Sequence, residues 1–298
     1  MSGRLPVWFK QKLPDPQVMQ EMARLMEHSH LHTICESAQC PNSGDCFSTH
    51  TATFLILGDM CTRRCTFCAV KKGSPEPVDA GEPQRLLDAA IVLGLRHAVI
   101  TSVTRDDLPD GGASQFARVV EMLHGNCDYI ATEVLVPDFR GSLRALGTVV
   151  LSQPEVINHN VETVHRLYPD VRPSADYSRS LEVISHVKRL DSRTITKSGM
   201  MVGLGETTEE VLGVMKDLRE SGCDLLTIGQ YLQPSPAHHP VARFVTPQEF
   251  SEYEVAGREM GFAGVASAPL VRSSFQAARM YADAEPRCAR SGPVGNSR

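Results

Sequence analysis

Six of the nine cysteines in this 298-residue chain fall in one short window: Cys35, Cys40, Cys46, Cys61, Cys65 and Cys68. Clustered thiols in a chain of this size point to metal held as thiolates, because disulfide frameworks belong to small secreted domains. The second group reads C-x3-C-x2-C. Three thiolates on one tight loop can hold three irons of a cubane and leave the fourth iron open to an outside ligand. Structural zinc is the competing reading, but zinc knuckles supply four protein ligands in paired spacings. The first group reads C-x4-C-x5-C, with Pro41 and Gly44 bending the backbone so that three unevenly spaced sulfurs can converge. Cys127 and Cys223 lie beside apolar stretches and read as inert core. Cys288 stands alone.

The elements that must position these groups follow a regular pattern. From Glu82 onward, short apolar runs alternate with longer stretches of helical period, which predicts strand-helix units around a parallel sheet. Strands are expected at Thr53 to Gly58, Ala98 to Val103, Tyr129 to Val134, Val156 to Asn158, Ile195 to Val202 and Asp224 to Ile228. Pro83 opens a helix that Gly94 stops, and Thr207 with Glu210 makes a capping box for a helix closed by Gly222. Thr246, Pro247 and Glu249 repeat that start. Six such units predict an α/β fold, a partial (β/α)6 TIM-like barrel, since a complete eight-unit barrel typically needs about 250 residues. A doubly wound sheet is the runner-up. In parallel barrels the loops after the strands build the active site, and the strand from Thr53 runs directly toward Cys61. The expected division is 1–50 as an N-terminal extension with a helix from Pro16 to Glu27 and the first cysteine group, 51–266 as the barrel, and 267–298 as a C-terminal extension. Its end, Ala289 to Arg298, reads as disordered.

Composition narrows the class. A hydrophobic fraction of 42% is ordinary for a globular chain, and a net charge of −5 argues against a general nucleic-acid binder. No apolar run approaches the roughly 20 residues of a membrane span, and Met1 to Phe9 lacks an apolar signal core. A cytoplasmic, membrane-free protein is expected.

Several further stretches occur in a telling order: Thr101 to Gly112 (TSVTRDDLPDGG), Glu133 to Phe139, Ile157 to Thr163, Arg172 to Tyr177, Lys197 to Glu206, Gly229 to Ser235 and Val271 to Phe275. With the two cysteine groups and Pro6-Val7-Trp8, they span nearly the whole chain, which resembles the lipoyl synthase family of the radical S-adenosylmethionine superfamily. The resemblance implies a barrel of the radical SAM type whose extensions carry an auxiliary iron-sulfur cluster. Cys61, Cys65 and Cys68 would hold a catalytic 4Fe-4S cluster whose open iron is chelated by S-adenosylmethionine, and an electron from it would release a 5′-deoxyadenosyl radical. Phe67 would lie near the adenine. Cys35, Cys40 and Cys46 would hold a second 4Fe-4S cluster that gives up sulfide. Arg272-Ser273-Ser274-Phe275 resembles the family's terminal Arg-Ser-Ser-Tyr, so Ser274 is expected as the fourth, oxygen ligand, with Ser273 the alternative. Phe275 departs from that pattern by lacking a hydroxyl.

The same resemblance implies sulfur insertion at carbons 6 and 8 of an octanoyl chain attached to a lipoyl carrier protein. The carriers would be the lipoyl domains of 2-oxoacid dehydrogenase acyltransferases and the glycine-cleavage carrier protein. A ferredoxin or flavodoxin would donate electrons, an iron-sulfur carrier would rebuild the cluster, and the enzyme would work as a monomer. Another sulfur-inserting radical enzyme and a noncatalytic electron-transfer protein are the competing readings.

Polar residues near strand ends complete the candidate set. Asn158 and Asn160, flanking His159, suit cofactor binding or a buried hydrogen-bond network equally. Arg172, Gly203 and Glu206 are cofactor candidates, and Lys197 shares with Arg172 a reading as a partner for anions. Arg105, Asp106 and Asp107 suit substrate binding or an ordinary charged turn. His238 and His239 read as a solvated loop.

Overall fold

Asp15 accepts the Gln17 N–H at 2.8 Å and Pro16 takes the first helical position, so α1 (Pro16–His28) starts where its capping residues dictate. The computed structural model describes residues 5–10, 15–37, 40, 42, 46 and 53–290. After α1 come β1 (His32–Thr33), α2 (Ile34–Ser37), β2 (Thr53–Ile56), β3 (Met60–Cys61) and β4 (Lys71–Lys72). The alternating region follows as α3 (Glu82–Val92), β5 (His97–Ser102), α4 (Ala113–Asn126), β6 (Ala131–Leu135), α5 (Leu143–Leu151), β7 (Val156–Asn158), α6 (Tyr168–Val171) and α7 (Tyr177–Leu190). It ends with β8 (Ile195–Val202), α8 (Thr208–Glu220), β9 (Leu225–Gln230), α9 (Pro247–Glu259), β10 (Gly264–Ser267) and α10 (Ala277–Arg290).

The main sheet runs β1-β2-β5-β6-β7-β8-β9-β10. Among the described residues only β1 pairs antiparallel in this sheet; every later neighbour is parallel. Six strand-helix units therefore run from β2 to α9, as the sequence pattern predicts, and β10 adds a seventh parallel strand. The capping boxes at Thr207/Glu210 and Thr246/Glu249 both form. Of the tail expected to be disordered, Ala289 and Arg290 instead complete α10, and residues 291–298 lie outside the described residues.

The strands' period of two separates two environments. Thr53 and Leu55, Val99 and Thr101, Glu133 and Leu135, Asn158, Gly199 and Met201, and Thr227 and Gly229 face a central cavity. Alternate residues such as Phe54, Ile100, Val134, Leu226 and Ile228 are buried in the apolar layers outside it. One end of the barrel is plugged by Val156, Ile195 and Leu225 packed with Met280 and Ala284 of α10. Above that plug lies a buried charged layer. Lys197 Nζ meets Glu133 Oε1 at 2.8 Å and Oε2 at 3.1 Å, and His97 Nε2 approaches Glu133 at 3.7 Å.

At the other end, β2 gives way to two left-handed residues, Leu57 (φ 67°) and Gly58 (φ 85°), which swing the chain out toward the cysteine loop. Glu82, at the first turn of α3, holds this exit by accepting the Leu57 N–H through both carboxylate oxygens, at 3.0 and 3.1 Å. A non-glycine residue in this conformation needs such support from its surroundings.

Candidate active site

A cavity of about 500 Å³ occupies the mouth of the barrel, and Cys35, Cys40, Cys61, Cys65 and Cys68 all line it. The loop from Cys61 to Cys68 is tied down along its length. The Thr62 N–H and hydroxyl both reach the Thr104 carbonyl, at 3.1 and 2.9 Å, and the Thr66 N–H reaches the Val171 carbonyl at 3.0 Å. Arg63 of the loop is buried and bonds Asp106 at 2.7 Å and Asp138 at 2.6 Å. His239 N–H meets the Thr66 carbonyl, and the His238 ring meets the Cys68 carbonyl at 3.2 Å. These two histidines are half-buried clamps of the cysteine loop, which corrects the solvated loop read from the sequence.

The thiols form two electrostatic groups. Burial pushes Cys68 up to about 12, with Cys65 and Cys61 adding to the rise. Cys65 is raised by burial while the Arg172 charge pulls it back. Cys35 is pushed up to about 12, again chiefly by burial, with Cys40 and Cys46 as its raising neighbours. Two groups of three soft donors, each repelling further negative charge in the absence of a cation, fit iron-sulfur binding. Among the described residues, no three His, Cys, Asp or Glu side chains converge as ligands of a single ion would.

The C-terminal motif joins the second group from far along the chain. Asn42, between Cys40 and Cys46, donates to the Leu270 carbonyl at 2.7 Å. Gly229 permits the passage of this segment over β9, since a Cβ there would lie 2.0 Å from the Val271 carbonyl oxygen. Arg272, Ser273 and Ser274 then line the cavity. Burial lowers the pKa of the Arg272 guanidinium, and the neighbouring Cys40 opposes that shift. The two serines are bonded differently. Ser273 Oγ receives Asn158 Nδ2 and donates to Asn160 Oδ1, both at 2.9 Å, whereas Ser274 Oγ receives the Thr53 hydroxyl at 2.9 Å.

On the remaining wall, Asn158 and Asn160 are committed to the network through Glu133, Ser273 and Glu162. His159 donates from Nδ1 to the Val136 carbonyl at 2.8 Å. Burial, then the Arg172 charge, lowers its pKa to about 4, so its ring is neutral near pH 7 and Nε2 is a bare acceptor. Arg172 Nη1 bonds the Asn160 and Val161 carbonyls and Tyr168 Oη. Asn158 Oδ1, His159 Nε2 and Arg172 Nε are buried without a partner among the described residues, a mixture of acceptors and a donor suited to a polar ligand. Phe67 lines the same cavity beside the cysteine loop.

Other sequence candidates point elsewhere. Glu206 accepts the N–H groups of Gly203 and Leu204 at 2.6 and 2.9 Å, and neither Gly203 nor Glu206 lines the cavity. Arg105 is closed onto Asp107 and the Leu57 carbonyl, while Asp106 serves Arg63. None of those three lines the cavity. Lys197 is fully buried on Glu133 and is not available to an outside anion. Arg63, Thr53 and Glu133 were not singled out by the sequence, because each acts through partners more than forty residues away.

Comparison with known proteins agrees with this arrangement. Residues 55–218 match the radical SAM superfamily. The chain is 56% identical over 277 residues to a lipoyl synthase of Caldanaerobacter subterraneus, covering 93% of this chain and 97% of that one. It is 54% identical to lipoyl synthases of Rubrobacter xylanophilus (94% and 87% covered) and Aquifex aeolicus (86% and 93% covered). The fold is also that of methylornithine synthase (TM-score 0.52, 12% identity, 72% and 71% covered) and of HydG, a maturase of the FeFe-hydrogenase (TM-score 0.54, 14% identity, 87% and 62% covered). Identity above one half across nine-tenths of the chain settles the assignment: the chain belongs to the lipoyl synthase family of the radical S-adenosylmethionine superfamily.

Proposed function

We propose that this chain inserts sulfur at carbons 6 and 8 of an octanoyl group attached to a lipoyl carrier protein. The observation that supports it most directly is the shared cavity: cysteines of both triads and the Arg272-Ser273-Ser274 segment line one wall-to-wall space. Bound S-adenosylmethionine and the cluster at Cys61, Cys65 and Cys68 supply a carbon-centred radical able to take hydrogen from an unactivated alkyl chain, and the auxiliary cluster supplies the sulfur.

The chain's own residues set the stage for that chemistry. Cys35, Cys40, Cys46 and Ser274 would hold the auxiliary cluster. Thr62, Thr66, Arg63, His238 and His239 keep the loop from Cys61 to Cys68 rigid, which preserves near-attack geometry. Leu55, Val99, Leu135 and Met201 present apolar walls to the alkyl chain. Burying its methylenes there contributes roughly 0.8 kcal/mol each, and the same walls exclude water. Asn158 Oδ1, His159 Nε2 and Arg172 Nε offer partners to polar groups of S-adenosylmethionine, and Phe67 offers a face to the adenine.

The division into 1–50, 51–266 and 267–298 assigns the auxiliary ligands to the two extensions. The protein works in the cytoplasm as a monomer, draws electrons from a ferredoxin or flavodoxin, and receives replacement clusters from an iron-sulfur carrier. No helix among the described residues is long and apolar enough to cross a membrane.

Anaerobically reconstituted protein should contain about eight irons, from two cubanes. With octanoylated carrier peptide, reductant and S-adenosylmethionine it should yield the lipoyl product, and Cys40→Ala should spare cofactor cleavage while abolishing product. Product formation by Cys40→Ala at the parent rate would sink the assignment of that cluster as sulfur donor.

A further inference from the structure

Thr53 is buried at the first position of β2 and faces the cavity. Its hydroxyl donates to Ser274 Oγ at 2.9 Å, across 221 residues of sequence. Its backbone also hydrogen-bonds the Cys35 thiol, opposing the rise that burial imposes there. One residue thus touches two of the four groups assigned to the auxiliary cluster. Ser273 is occupied otherwise: its oxygen both accepts from Asn158 and donates to Asn160, which fastens the backbone next to Ser274 to the barrel. With the backbone fixed by its neighbour, the direction of the Ser274 hydroxyl is left to Thr53.

We propose that Thr53 is a positioning residue of the auxiliary site, whose hydroxyl holds Ser274 Oγ in the orientation that turns its remaining lone pair toward iron. This rests on the reading of Ser274 as the fourth ligand. Oxygen is a harder and weaker partner for cluster iron than thiolate, so its binding depends more heavily on orientation. The pairing suits that role: a serine oxygen that gives up its proton to bind iron can only accept from a neighbour, and the Thr53 hydroxyl, 2.9 Å away, is able to donate. An ordinary structural tie between β2 and the C-terminal segment would stabilise the fold without affecting the iron site.

Thr53→Val keeps the branched shape and removes the donor, while Thr53→Ser keeps the donor. Each full-length variant is reconstituted anaerobically, and the readouts are iron content, the Mössbauer signal of the non-thiolate iron, iron release to a chelator, and the melting temperature. Thr53→Val should bind about eight irons. It should lose iron roughly two- to tenfold faster, the factor that one hydrogen bond commands, and shift the Mössbauer signal. Thr53→Ser should restore both. In a Ser274→Ala background, Thr53→Val should add nothing to the release rate. Parent-like release and spectrum in Thr53→Val would overturn the proposal, as would full additivity with Ser274→Ala or a loss confined to thermal stability. A parent chain that holds only four irons would instead remove the underlying two-cluster reading, and this proposal with it.

Discussion

Arg63, set between Cys61 and Cys65 in the cysteine loop, brings its Nη2 to 2.6 Å from Asp138 Oδ1, while its Nε engages Asp106 at 2.7 Å. One buried guanidinium therefore ties the cysteine loop to the loops following β5 and β6. Burial pushes the Asp138 carboxyl up, but the Arg63 hydrogen bond and charge outweigh it and hold its pKa at about 2. Asp138→Asn preserves shape and leaves the guanidinium short of a charge. It should lower unfolding free energy by about 3 kcal/mol, measured by denaturant titration, and should loosen the cluster at Cys61, Cys65 and Cys68. An unchanged midpoint would count against this anchoring.

The Lys197–Glu133 pair gives a second test, since both side chains are fully buried. Lys197→Met strands a carboxylate in the barrel and should destabilise by about 3–5 kcal/mol. Adding Glu133→Gln should recover much of that loss, because a buried ion pair is worth little against a neutral replacement. Calorimetric melting of the single and double variants reads the difference; equal loss in both would refute it.

His159 makes stability depend on acid. Its pKa falls from an ordinary 6.5 to about 4, through burial first and the Arg172 charge second. The unfolded chain therefore binds a proton before the folded one does. Its contribution is present above pH 6.5 and lost as pH falls toward 4, on the order of 3 kcal/mol. His159→Gln does not titrate, so its stability should change less across that window. Parallel profiles for parent and variant would exclude His159 as the source.

Gly229→Ala should separate the two halves of the reaction. The added Cβ would press on the Val271 carbonyl and displace the segment carrying Ser274. S-adenosylmethionine cleavage should persist, while lipoyl product falls at least tenfold, a loss of about 1.4 kcal/mol in barrier terms. Product formation at the parent rate would show that the segment tolerates the shift.

The parts of this fold that were legible in the sequence are those written in short-range signals. β7 and β8 begin and end where their apolar runs do, and Thr207/Glu210 and Thr246/Glu249 cap helices through bonds spanning three residues. β1 has two residues, and β10 is built of Gly264, Val265, Ala266 and Ser267, so neither carries enough apolar pattern to stand out. The site divides in the same way. Cysteine spacing is local and names the thiols, whereas the partners of Lys197, Arg63 and Ser274 lie 64, 75 and 221 residues away. His238 and His239 looked unsupported for the same reason: their bonds reach Cys68 and Thr66, far back in the chain.

The contact from Asn42 to the Leu270 carbonyl, spanning 228 residues, also orders events during protein synthesis. At about 5–20 residues per second, the ribosome takes roughly ten to fifty seconds to travel between those positions. By the end of that interval Cys35, Cys40 and Cys46 have long been synthesised, while Ser274 is not yet made. The assembled pocket is thus a product of the finished polypeptide, and maturation of its metal centre belongs after translation.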